Sequence, residues 1–157
     1  MRVPEMKKVL VLDFGGQYNL LVARRVRECG VYCELRSYRI SMDEVRAFRP
    51  DALIFTGGPA TVFEEGAPTV DPALFSLGIP VLGICYGMQL MMHLLGGRCR
   101  KAVTREYGKT ELTVSASSPL FAGVPEKAVY WMSHGVEVES AAAGFAATAQ
   151  SEGCRHA

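Results

Sequence analysis

Residues 83–87 read Gly-Ile-Cys-Tyr-Gly, a cysteine with a glycine two positions away on either side. The string follows a short apolar run and precedes a helical pattern, making it the thiol counterpart of the Gly-x-Ser-x-Gly nucleophile elbow. The glycines permit a sharp turn that holds Cys85 in a strained conformation above a sheet. A helix starting just after it aims its positive end at the sulfur, which is expected to lower the thiol pKa and make Cys85 the most nucleophilic of the five thiols. The plainer alternative is a cysteine packed in an apolar strand. The glycine frame at a strand–helix junction favours the nucleophile.

Acyl transfer also needs donors for an oxyanion and a base for the thiol. The elbow architecture supplies one donor from the backbone N–H after the nucleophile, here Tyr86. Gly57-Gly58-Pro59, after an earlier strand, is the natural second source, because glycine lets a backbone N–H approach a substrate closely. Alone it reads as an ordinary turn; paired with the elbow it reads as half of an oxyanion hole. Three histidines are available. His93 lies on the elbow helix ~12 Å of rise beyond Cys85, too far to act. His134, at the end of a strand, could reach the site, and His156 sits where chains fray. None is a convincing base, and no acid partner can be named.

The elements that must position these groups are legible as alternating patterns. Strands are expected at Lys7–Asp13, Val31–Leu35, Asp51–Thr56 and Pro80–Ile84. Helices are expected over Gln17–Cys29 (with Leu21, Val22, Val26 and Cys29 on one face), from a Ser41–Glu44 capping box to Phe48, after Asp71-Pro72, and over Tyr86–Leu95. Such alternation predicts an α/β fold, an open and mostly parallel sheet covered by helices on both faces. After residue 97 five short antiparallel strands are expected: Arg100–Thr104, Thr110–Val114, Val129–Met132, Val136–Glu139 and Phe145–Ala149. With no linker or repeat, residues 1–157 read as a single domain.

Composition narrows the function classes. The 157 residues carry 17 Lys+Arg against 16 Asp+Glu, a formal net charge of +1. That balance disfavours nucleic-acid or anionic-membrane binding as the main task. No apolar run suits a signal peptide or a membrane span. Five irregularly spaced cysteines (Cys29, Cys33, Cys85, Cys99, Cys154) then read as reduced thiols of a cytoplasmic protein, and Cys29-x-x-x-Cys33 lacks the second pair a zinc site needs. Asp13-Phe14-Gly15 matches a kinase tripeptide without the rest of the kinase set, and the paired glycines form no dinucleotide or Walker loop.

Six strings together resemble a known family. They are Val-Leu-Asp-Phe-Gly-Gly-Gln-Tyr (11–18), Ala-Arg-Arg-Val-Arg-Glu (23–28), Gly-Gly-Pro-Ala (57–60), Gly-Ile-Cys-Tyr-Gly-Met-Gln (83–89), Arg-Glu-Tyr-Gly (105–108) and Trp-Met-Ser-His-Gly (131–135). From about Lys7 to about Ser151 the chain resembles the class I glutamine amidotransferase domain of GMP synthetases, with a flavodoxin-like fold. The resemblance implies that Cys85 attacks the side-chain amide of L-glutamine and releases ammonia through a glutamyl thioester. The Gly58 and Tyr86 amides would hold the oxyanion, and Gly57, Gln89, Ser133, His134 and Gly135 the substrate. It further implies no metal or cofactor in this domain. ATP and Mg would belong to an ATP pyrophosphatase domain or subunit that uses the ammonia to convert XMP to GMP. Two departures stand out: the family's His-Pro-Glu segment, with its base and acid, is not in the chain, and Val136 stands where an aspartate is usual. The domain is therefore expected to be incomplete at its C-terminus and to have little activity alone. The alternative is a non-catalytic module that docks on, or regulates, a synthetase partner.

Overall fold

Four apolar runs in the first half of the chain pair in parallel and build the platform for the elbow. A computed structural model describes residues 6–114 and 118–157, which divide into two compact units, Met1–Met91 and Met92–Ala157. In the first unit, β1 (Lys8–Asp13), β2 (Tyr32–Ser37), β3 (Ala52–Phe55) and β4 (Val81–Gly83) form one parallel sheet in the order β2-β1-β3-β4. Leu10, Val11 and Leu12 of β1 are wholly buried at its centre. The chain passes from β1 to β2 on one side and then to β3 on the other. In open α/β sheets ligands bind at such a reversal, here at the carboxyl ends of β1 and β3.

Helices α1 (Asn19–Glu28), α2 (Met42–Phe48) and α3 (Tyr86–Leu94) flank the strands, as the alternation predicts. Ser41 accepts from the Glu44 N–H while Glu44 accepts from the Ser41 N–H, so the capping box forms. The α1 face is rotated from expectation. Ala23, with Val22 and Val26, packs on Val9, Val11, Cys33 and Leu35, whereas Leu21 and Cys29 are exposed. Ala23, the smallest apolar residue of the helix, is wholly buried there. The segment after Asp71 is a short 3₁₀ helix, Pro72–Ser76, followed by Gly78 at φ +71°.

The second unit departs most from the sequence reading. Instead of five short strands, β5 (Arg98–Val114) and β6 (Lys127–Ser140) form one long antiparallel hairpin, and β7 (Ala149–Gln150) pairs with the end of β5. Gly108 has φ +102° yet stays in the ladder opposite Met132, and the register shifts between Lys101 and Glu106. Glycine inside a strand marks a bulge or irregularity as readily as a turn, which is why single strands looked like pairs. Among the described residues no helix is long and apolar enough to cross a membrane.

Candidate active site

Cys85 sits at φ +50°, a left-handed conformation that costs a non-glycine residue roughly 1–2 kcal/mol. The surrounding backbone holds it there. Ile84 N–H donates to Phe55 O (2.9 Å), Gly87 N–H to Thr56 O (3.1 Å) and Gln89 N–H to Cys85 O (3.1 Å). Both framing glycines are required by close approach. A Cβ on Gly83 would lie 2.6 Å from the Met88 backbone, and one on Gly87 would lie 2.4 Å from Phe55 O. The glycines thus let α3 start directly against β3 and β4, which turns Cys85 outward.

The Tyr86 side chain clamps the same corner. It is buried, its ring centroid lies 5.5 Å from that of Phe14, and its hydroxyl donates to Pro68 O at 2.5 Å. Burial first, then the neighbouring Tyr38 and Glu64, pushes its pKa up to about 12.

Gly57-Gly58 lies beside the elbow. A Cβ on Gly57 would meet the Cβ of Cys85 at 3.5 Å, while one on Gly58 would be 2.5 Å from Phe14 O. Likewise, a Cβ on Gly16 would be 2.4 Å from Gly57 O, so the loops after β1 and β3 interlock through their glycines. Thr56 ties them further: its hydroxyl donates to Leu12 O (3.0 Å) and accepts from Phe14 N–H (3.3 Å). Asp13 organises the β1 loop by accepting from Gly15 N–H and from the Asn19 side chain. Among the described residues, neither the Gly58 nor the Tyr86 N–H donates a hydrogen bond. Unpaired backbone N–H groups are the kind of donor that an oxyanion hole uses.

The electrostatics of the sulfur run against the sequence expectation. Cys85 is exposed as a residue, but the protein packed around its thiol desolvates it and pushes its pKa up, with no opposing charge. The unit that carries it, Met1–Met91, contains no histidine.

The structure brings Gly57, Gly58, Cys85, Tyr86 and Gln89 into one unit, with Gln89 buried one turn into α3. Ser133, His134 and Gly135 belong to the second unit, on β6. There Ser133 is exposed, and His134 Nε2 lies 3.1 Å from Glu106 Oε2. Val136 pairs with Lys101 in the same hairpin. His93 is exposed, and His156 Nδ1 lies 3.0 Å from Val138 O. Among the described residues no three His, Cys, Asp or Glu side chains gather as a metal site. Sequence reasoning missed the structural roles of Asp13, Phe14 and Thr56, and the pairing of Glu106 with His134. The first two were in view within the Asp-Phe-Gly-Gly-Gln-Tyr string, but no spacing rule assigns them.

The glutamine amidotransferase class-I family model matches residues 10–157, and the chain belongs to that family. It is 54% identical over 150 residues to the glutamine-hydrolysing GMP synthase of Lachnospira eligens, covering 96% of this chain and 29% of that one. With the corresponding enzyme of Heliobacterium modesticaldum the identity is 57% over 144 residues, covering 92% and 28%. The chain thus spans less than a third of the length of these curated relatives. Among solved structures, a protein from Thermoplasma acidophilum, assigned provisionally as one component of a GMP synthase, aligns with TM-score 0.86 and 31% identity, covering 97% of this chain and 76% of that one. A glutamine amidotransferase from Thermotoga maritima shares the fold at TM-score 0.73 and 18% identity, covering 95% and 69%.

Proposed function

We propose that this chain is the glutaminase part of a GMP synthase. The observation that carries the reading is Cys85 at φ +50° in its glycine-framed elbow, beside Gly57-Gly58. The Cys85 sulfur attacks the side-chain carbonyl carbon of L-glutamine, and the carbonyl oxygen takes its negative charge toward the Gly58 and Tyr86 N–H groups. Collapse of the tetrahedral species breaks the C–N bond, expels ammonia once the nitrogen is protonated, and leaves a thioester. Water hydrolyses the thioester to glutamate and restores the thiol. Gly57 and Gln89, in the same unit as Cys85, hold the substrate.

This glutaminase part uses no cofactor of its own. ATP and Mg serve an ATP pyrophosphatase domain or subunit, which spends the ammonia on converting XMP to GMP. Five free thiols support a cytoplasmic setting. The test is glutamate formation from L-glutamine by the chain alone and by the chain extended with a family-type C-terminal segment carrying His-Pro-Glu. Acid–base assistance is worth about 10²–10⁴-fold, so the chain alone should be near background. Turnover that appears on extension and disappears in Cys85→Ala supports the proposal. A second reading, a non-catalytic docking module, draws on the raised Cys85 pKa and the histidine-free unit around it. Partner binding without turnover in either setting would favour that second reading.

A further inference from the structure

Thr56 follows β3 directly and is wholly buried. Its N–H donates to Leu12 O (3.2 Å) and its C=O accepts from Gly87 N–H (3.1 Å), which joins the end of β1 to the start of α3. Its hydroxyl accepts from Phe14 N–H at 3.3 Å and has two acceptors for one proton, Leu12 O at 3.0 Å and Gly57 O at 3.2 Å. Leu12 O already receives the Thr56 N–H, whereas among the described residues no other donor reaches Gly57 O. Gly16 closes on that same oxygen, since a Cβ there would lie 2.4 Å from it.

Gly57 C=O and Gly58 N–H belong to one peptide unit. A trans peptide is planar, with its C=O and N–H pointing in opposite directions. Holding Gly57 O against Thr56 and Gly16 therefore fixes the side on which Gly58 N–H is offered. With glycine on both sides of the bond, no side chain restrains that plane from turning over. We propose that Thr56 is a positioning residue whose hydroxyl locks the Gly57–Gly58 peptide with its N–H set for the oxyanion. The proposal rests on the reading of Cys85 as nucleophile and Gly58 as oxyanion donor, and every residue it uses lies in the first unit.

The experiment compares two reactions of one sulfur in the 157-residue chain. With p-nitrophenyl acetate the Cys85 thiolate bonds to the carbonyl carbon, the oxygen gains negative charge, and collapse expels p-nitrophenolate. With iodoacetamide the same thiolate displaces iodide at a saturated carbon, and no oxyanion forms. Thiolate fraction and access cancel in the ratio of the two rates, read at the Cys85 peptide by mass spectrometry. The wild-type ratio should exceed that of Cys29, the other exposed thiol. Loss of an oxyanion donor costs about 10²–10³-fold, so a donor left free to turn in Thr56→Val should lower the ratio about tenfold or more. Thr56→Ser keeps the hydroxyl and should stay near wild type. An unchanged ratio in Thr56→Val, or one equally low in Thr56→Ser, overturns the positioning role. If Thr56→Val does not fold, Gly16→Ala, which crowds Gly57 O and keeps the hydroxyl, must lower the ratio and Thr56→Ser must keep it; the opposite result in either overturns the role. A wild-type ratio no higher at Cys85 than at Cys29 overturns the role together with the oxyanion reading. Glutamate formation is read separately, so the glutaminase reading and this one fail independently.

Discussion

At Cys85 two local effects oppose each other. A helix N-terminus favours an anion by about 0.3–1 kcal/mol at an exposed site, whereas removing water from around a thiol disfavours the thiolate. At this thiol burial pushes the pKa up. The sign fixes a pH dependence. Cys85 holds less thiolate at neutral pH than a free cysteine, and its alkylation by iodoacetamide should rise with an inflection above the free-thiol value of about 8.5. An inflection below that value would show that a cation or base acts on the sulfur. Exposure sorts the other thiols: Cys29 and Cys85 are exposed, while Cys33 and Cys154 are buried. Burial also pushes the Cys33, Cys99 and Cys154 pKa values up. Mass mapping after brief alkylation should therefore find adducts on Cys29 and Cys85 before Cys33 or Cys154; the reverse order contradicts the burial described.

Among the elements, α3 depends on two missing side chains. Gly87→Ala places a methyl 2.4 Å from Phe55 O and 2.6 Å from Phe55 Cβ, a clash with backbone that cannot rotate away. Overpacking of this kind costs about 1–3 kcal/mol. The expected outcome is a fall of roughly 2–8 °C in Tm, with Cys85 alkylation altered because the elbow must shift. An unchanged Tm means that α3 does not press on β3 as described. At α2, Ser41→Ala removes the acceptor for Glu44 N–H and the reciprocal box. Loss of such a cap costs about 1 kcal/mol, read as a lower denaturation midpoint at unchanged slope.

For the molecule as a whole, the hairpin of the second unit leaves large apolar groups in water. Trp131 is 77% exposed, Tyr107 66% and Val129 62%. The register places them on one face of β5–β6, with Lys109 over the Trp131 ring and Glu111 opposite Val129. Exposed apolar surface of this kind binds hydrophobic dyes and drives association. The isolated chain is expected to enhance the fluorescence of such a dye and to self-associate on sizing columns. Trp131→Lys should reduce both effects. A monodisperse, dye-silent wild type rules out this face as sticky surface.

The elbow, its helix and the parallel strands were legible in the sequence because each is written in adjacent residues. Gly83-Ile84-Cys85-Tyr86-Gly87 encodes its own turn, and apolar runs ending in glycine encode buried strands that meet loops. The β5–β6 hairpin was misread because a glycine within a strand and a glycine at a turn look alike until the partner strand supplies its hydrogen bonds. The direction of the Cys85 pKa was misread as well, since the sequence shows the helix that follows but not the atoms that exclude water from the sulfur. Glu106 and His134 are 28 positions apart, with Ser151 a further 17 beyond, and only strand register and the return of the chain bring their side chains within hydrogen-bonding distance. Short-range order follows from backbone sterics and hydrophobic period, which neighbouring residues carry. Long-range pairing and desolvation depend on which distant groups fold alongside, and tertiary structure alone decides that.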